Sequence, residues 1–188
     1  MNKKMMINQL LLLTLFLAAP LLGGPALAQS GHNDGCTNAT LTGDYAFRIS
    51  GQVLLPGAAP VDREGISMTH FDGFTGPNGL GGLSQVDFVM SNGAPLPGIP
   101  DPLTGFHTGE TGWYRVFTDC TGIAEIDFPT PPGGTSGAVI DLMFVLSNHG
   151  RTIHTIVSQL TPPNTKTSVP VSIHSDGEKL GTVPDNEQ

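Results

Sequence analysis

Alternation of large apolar and polar residues runs through most of the chain. Along Leu41–Gly51, Tyr45, Phe47 and Ile49 fall on one face, and Asp44, Ala46, Arg48 and Ser50 on the other. The same period of two predicts strands over Gly65–Phe71 and Leu80–Met90. In the latter, Leu83, Gln85, Asp87 and Val89 oppose Ser84, Val86, Phe88 and Met90. Further strands are expected over Gly112–Phe117, Gly122–Phe128, Arg151–Gln159 and Val169–Ile173. Ala138–Ser147 is apolar at nearly every position apart from Asp141, which predicts a strand buried on both sides. Turn signals separate these runs: Asp72-Gly73, Asn78-Gly79, Asn148-His149-Gly150, and the proline and glycine clusters at 56–60, 129–134 and 162–163.

No helical period appears after residue 28. About eight short strands with glycine- and proline-rich turns make an all-β protein. The expectation is one antiparallel β-barrel of about eight strands. Closure removes exposed sheet edges, and the interior is either filled by side chains or holds one small ligand. Ser91–Gly109, with four prolines and four glycines, is expected to be one long irregular loop, a place where function concentrates. A flexible polar tail is expected from about residue 176.

The first 28 residues read differently. Lys3 and Lys4 precede an apolar core at Leu10–Leu17, and Ala26-Leu27-Ala28 is a small-x-small cleavage site. Residues 1–28 are thus expected to be a signal peptide, residues 29–188 a single exported domain, periplasmic or extracellular. Cleavage removes two lysines and no acid, taking the formal net charge from −8 to −10. Scattered and scarce Lys and Arg exclude nucleic acid as a partner, because phosphate binding needs concentrated positive charge. With the signal removed, no segment anchors the chain as an integral membrane protein. The only two cysteines, Cys36 and Cys120, are expected to form one structural disulfide.

Candidate chemistry is sparse. Trp113, Tyr114 and Arg115 form a polar-aromatic cluster that would suit an amphipathic acid in a barrel mouth, or simply pack. Asp87, Glu125 and Asp141 lie mid-strand, and a buried carboxylate needs a partner, for which Arg48 and Arg115 are available. His70 and Asp72 share a face; His107, His149 and His154 lie in the loop or near the late hairpin. No histidine pair shows HxH or HExxH spacing, so no metal is expected, and no cofactor-binding motif is present. Asn38-Ala39-Thr40 matches a glycosylation sequon but carries little weight in a chain with a bacterial-looking export signal.

One order of motifs is informative. A cysteine precedes Leu41-Thr42-Gly43-Asp44-Tyr45-Ala46-Phe47; then come Phe71-Asp72-Gly73, Gly112-Trp113-Tyr114, Asp119-Cys120-Thr121-Gly122, and a late pair around Thr152-Ile153-His154. Over Cys36–Gln159 this resembles a group of exported, mostly uncharacterised bacterial proteins with an allene oxide cyclase-like, calycin-like barrel. The resemblance implies an eight-stranded antiparallel barrel with a lumen. It also implies a function class, since allene oxide cyclase is a cofactor-free isomerase that cyclises an unstable fatty-acid epoxide. None of that enzyme's active-site residues maps onto a position of this sequence, and fold likeness alone does not carry function.

The residues themselves favour a non-enzymatic role, either small-ligand binding or a structural envelope protein, with a small apolar ligand as the expected partner. The alternative is a cofactor-free isomerase or cyclase acting on an apolar substrate in the lumen, with Tyr114, Arg115, Asp87 and His154 as candidate lumen groups. Adhesion through the proline-rich loop is a third reading. A filled lumen would favour a structural role; an open, largely apolar one would favour a ligand.

Overall fold

The computed structural model describes residues 35–96, 98 and 100–181. The expected signal peptide lies outside the described residues. Nine strands follow in order: β1 (Thr42–Val53), β2 (Val61–Asp72), β3 (Gly81–Ser91), β4 (Ala94–Pro95), β5 (His107–Val116), β6 (Thr121–Asp127), β7 (Val139–Ser147), β8 (Thr152–Thr161) and β9 (Val171–Lys179). Apart from the two-residue β4, which only lengthens one edge of β3, each strand pairs antiparallel with its neighbours in sequence. β9 then pairs with β1, closing an eight-stranded up-and-down barrel. Among the described residues the helical turns are 3₁₀ turns at Asn38–Thr40 and Asn148–Gly150.

The meander sorts the connections to two ends. Residues 54–60, 92–96, 100–106, 128–138 and 162–170 lie at one end, called the mouth. Segments 35–41, 73–80, 117–120 and 148–151 lie at the other, the floor. The floor is packed solid by Leu41, Tyr45, Phe71, Tyr114, Val116, Leu146 and Ile153. Tyr45 donates a hydrogen bond to the Gly150 carbonyl. The Tyr114 hydroxyl accepts from the Gly73 N–H at 2.9 Å and lies 3.1 Å from the Leu41 carbonyl. Cys36 and Cys120 are disulfide-bonded and tie the incoming segment to the β5–β6 turn. Asn38 is buried: its amide donates to the carbonyls of Phe74 and Gly79 and accepts from the Val116 N–H at 2.8 Å. The sequon asparagine therefore joins three floor segments.

Four expectations are corrected. The tail from residue 176 is strand up to Lys179: Ser175 and Gly177 face inward beside Ile173, and such small residues give no apolar signature. β5 begins at His107, so the irregular loop after β3 is shorter than 91–109. β2 begins at Val61 rather than Gly65. β7 is not buried on both sides, since Met143 and Val145 are about half exposed on the outer wall.

Candidate binding site in the barrel lumen

Above the floor the interior is not filled. A cavity of about 730 Å³ runs to the mouth, where Leu55, Leu96, Pro131, Pro162 and Val169 surround it. Small inward residues leave this space: Ser67, Thr69, Ala124 and Ser175 stand where larger side chains would meet across the axis.

The wall is divided lengthwise. β6, β7, β8, β9 and β1 present Ile126, Ile140, Leu142, Val157, Ile173 and Val53, with a Thr155–Ser175 hydroxyl pair at 2.6 Å as the main polar interruption. The adjacent strands β2, β3 and β5 carry most of the polar lining, Arg63, Ser67, Thr69, Gln85, Asp87 and Glu110, with His107 beside them and the apolar Val61, Phe71, Leu83 and Val89 between. Strand register explains the grouping. Thr69 is directly opposite Gln85, and Gln85 directly opposite Glu110, so three side chains line up perpendicular to the strands. The Thr69 hydroxyl donates to Gln85 Oε1 at 2.7 Å, and Gln85 Nε2 donates to Glu110 Oε2 at 3.0 Å. One row nearer the mouth, Ser67, Asp87 and His107 are opposite one another, with His107 Nδ1 3.2 Å from Asp87 Oδ1. Arg63, closer still to the mouth, donates to the Ser91 hydroxyl and, at 3.3 Å, to the Asp62 carbonyl.

Glu110 is only 1% exposed, and no N–H or O–H of another residue donates to its buried Oε1. Burial, and then the neighbouring Asp87 charge, push its pKa up to about 8 against the smaller opposing effect of the Gln85 bond, and a hydrogen bond from the protonated carboxyl to Asp87 raises it further. Burial also raises Asp87, opposed by its contact with His107. Burial lowers the Arg63 guanidinium from its usual value. At neutral pH Glu110 is thus a carboxylic acid whose proton is directed to the neighbouring Asp87 carboxylate.

Comparison with protein-family models and with curated proteins finds no match to this chain. The site stands on its own geometry.

Of the four candidate lumen groups, Asp87 lines the cavity. Tyr114 points inward but is fully buried in the floor beneath it, where burial raises its pKa. Arg115 and His154 are on the outer wall. Arg115 lies over the Phe117 ring at 5.5 Å, and His154 contacts Asp176 at 2.7 Å. Their strand neighbours Tyr114 and Ile153 point inward, and alternation sends the next residue out. Trp113 is also outside, donating to Glu125 at 2.9 Å, so Glu125 and the directly opposite Asp141 are not lumen acids and do not pair with Arg48 or Arg115. His70 faces outward and contacts Asp44 at 2.8 Å. Among the described residues no three His, Cys, Asp or Glu side chains converge as a metal site.

Glu110 was not among the residues that the sequence singled out. Its signal is the spacing Glu110, Gly112, Tyr114, Val116, which extends the inward face of β5 upstream of Gly112 until a register shift places His107 opposite Asp87.

Proposed function

We propose that this protein is an exported small-ligand-binding barrel that holds one largely apolar molecule in its lumen. The observation that carries the reading is the unfilled 730 Å³ cavity, with one end closed by packed aromatic residues and the other open. That volume falls within the range of small-molecule sites, which combine apolar walls with a few placed polar groups. A purely structural barrel of this width would gain by filling the space, because unfilled core volume forfeits dispersion contacts. Export is supported by the disulfide, a bond that persists in oxidising compartments. Among the described residues no helix is long and apolar enough to cross a membrane.

The test is titration of the mature protein with the apolar fluorophore N-phenyl-1-naphthylamine. Saturable one-to-one binding is expected, and it should be lost in a Val157→Trp/Ile173→Trp variant that fills the lumen while retaining its β circular dichroism. Equal binding by the filled variant would place the probe on the outside and remove the reading.

A second reading has one observation of its own. A carboxylic acid that keeps its proton at neutral pH, in an apolar cavity, is the kind of group that a cofactor-free isomerase or cyclase uses to donate to a substrate oxygen. The resemblance to allene oxide cyclase-like barrels points the same way. Conversion of an unstable epoxide by the wild type, reduced to background in Glu110→Gln, would support it; the same rate in both would remove it.

A further inference from the structure

We propose that Arg63 anchors an anionic head group at the mouth, and that the lumen occupant is an amphiphile whose oxyanion head lies there while its apolar chain runs toward the floor. This inference rests on the lumen-binding reading and names the ligand class.

Arg63 is the only lysine or arginine that lines the cavity. It is directly opposite Ser91, two cross-strand rows nearer the mouth than the Ser67–Asp87 pair. Four residues of strand separate it from Ser67, about 13 Å along β2. Its Nη1 donates to the Ser91 hydroxyl and to the Asp62 carbonyl, which fixes the plane of the guanidinium. Nε and Nη2 donate to no protein group among the described residues, and neither is sealed off from solvent. These two nitrogens form the side-on edge of the guanidinium, whose parallel N–H groups match a pair of oxygens on one anion.

The protein supplies no counter-charge at this place. Among the described residues the ion pairs are His70–Asp44, His107–Asp87 and His154–Asp176, and none includes Arg63. Its neighbours Asp62 and Glu64 are exposed on the other face of β2, and the Asp62 carboxylate accepts from Gln52 at 2.8 Å. A half-buried cation without a counter-charge is costly, and an anion presented from the cavity supplies one.

The remaining charges set the orientation. Asp87 and Glu110 lie deeper, so an anionic head pushed past Arg63 would be crowded against them, where burial already disfavours negative charge. At Arg63 the head stays at the open end, and the chain follows the aliphatic wall of Val53, Ile173, Val157 and Ile140. The Thr69–Gln85–Glu110 row makes its hydrogen bonds internally and accommodates a passing chain. An ammonium head would be repelled by Arg63, and an uncharged head would leave the guanidinium unpaired.

Displacement of bound N-phenyl-1-naphthylamine by octanoate, octane-1-sulfonate, octan-1-ol and octylamine at neutral pH tests this. In the wild type, octanoate should displace the probe at about tenfold lower concentration than octan-1-ol, the effect of one hydrogen-bonded pair of charges. Octane-1-sulfonate, which also presents a pair of oxygens, should share the advantage. The advantage should shrink in high salt, because the mouth is open to solvent. Arg63→Gln, with its β circular dichroism retained, should bring octanoate and octan-1-ol to about the same concentration. Arg63→Lys, which keeps the charge and loses the fork, should fall between the two. Equal displacement by both anions and octan-1-ol in the wild type, an anion preference that survives in Arg63→Gln, or stronger displacement by octylamine would overturn the proposal. If none of the four displaces the probe, the lumen reading itself fails and takes this proposal with it.

Discussion

Tyr45 and Tyr114 pack edge-on against the same ring, that of Phe71, with centroids 5.5 and 5.0 Å away. They are the only tyrosines in the protein, and each is the third residue of a Gly-x-Tyr run, one opening β1 and one closing β5. The two runs thus meet in the floor, and their hydroxyls satisfy backbone groups of the connecting segments. Tyr114→Phe leaves the Gly73 N–H without its acceptor and should cost about 1–2 kcal/mol. Tyr114→Ala also opens a cavity and should cost about 3–5 kcal/mol. Urea denaturation midpoints of the two variants check the order.

The disulfide spans 84 residues, from the segment before β1 to the turn after β5. Constraining so long a loop in the unfolded chain contributes about 4–5 kcal/mol in the chain-entropy model. A Cys36→Ser/Cys120→Ser variant should therefore unfold at markedly lower denaturant concentration, with the floor as the first region to gain amide exchange.

Stability should depend on pH through the lumen acid. Glu110 binds its proton more tightly folded, with a pKa of about 8, than unfolded, where the ordinary value is 4.5. The folded state then holds more protons between those values, so its contribution is fully present below pH 4.5 and is lost as pH rises to about 8. Asp87, also raised by burial, acts in the same direction. The melting temperature of the wild type should fall across that window relative to Glu110→Gln, by an amount equivalent to a few kcal/mol at most. Parallel melting curves for the two proteins from pH 5 to pH 8.5 would show that Glu110 does not titrate as described.

Arg115 and His154 are on the outer wall, so Arg115→Ala and His154→Ala should leave probe binding in the lumen within twofold of wild type. Asp87→Ala, which removes a lining carboxylate and strands His107, should change it. A loss of binding in Arg115→Ala alone would contradict the assigned strand faces.

Close approach in the floor makes one glycine demanding. A Cβ on Gly122 would lie 2.1 Å from the Phe144 ring, so Gly122→Ala must push that ring toward the cavity. The expected cost is about 1–3 kcal/mol, read from the denaturation midpoint, with a smaller capacity for the largest lumen ligands.

Much of the architecture was readable from local pattern. Alternation at Tyr45-Phe47-Ile49 and Leu83-Gln85-Asp87-Val89 marked strands and sorted their residues into two faces, because strand side chains alternate regardless of context, but it did not say which face lines the lumen. Cysteine count gave the disulfide, and turn residues gave most strand boundaries. Where apolar residues fell on both faces, as at Met143 and Val145, or where inward positions were Ser175 and Gly177, pattern failed, since neither case carries the contrast that alternation needs.

The site was the least legible part. Asp87 was recognised as a mid-strand acid, but Glu110 fell between the expected loop ending at Gly109 and the expected strand starting at Gly112, and Arg115 and His154 were candidate lumen groups although they are outside. No single strand encodes a lumen wall. Thr69, Gln85 and Glu110 are separated by 16 and 25 residues and become one row only through the register of β2, β3 and β5. The sequence by itself determined that the chain is all-β, closed by one disulfide, and alternates along each strand, because these follow from local sterics and composition. Only the tertiary structure decided that most of the polar lining is gathered on three adjacent strands, that the side chains do not fill the space between the walls, and that two acids, Asp87 and Glu110, are buried side by side at its edge. Register and closure are cooperative properties of all eight strands, and no local stretch contains them.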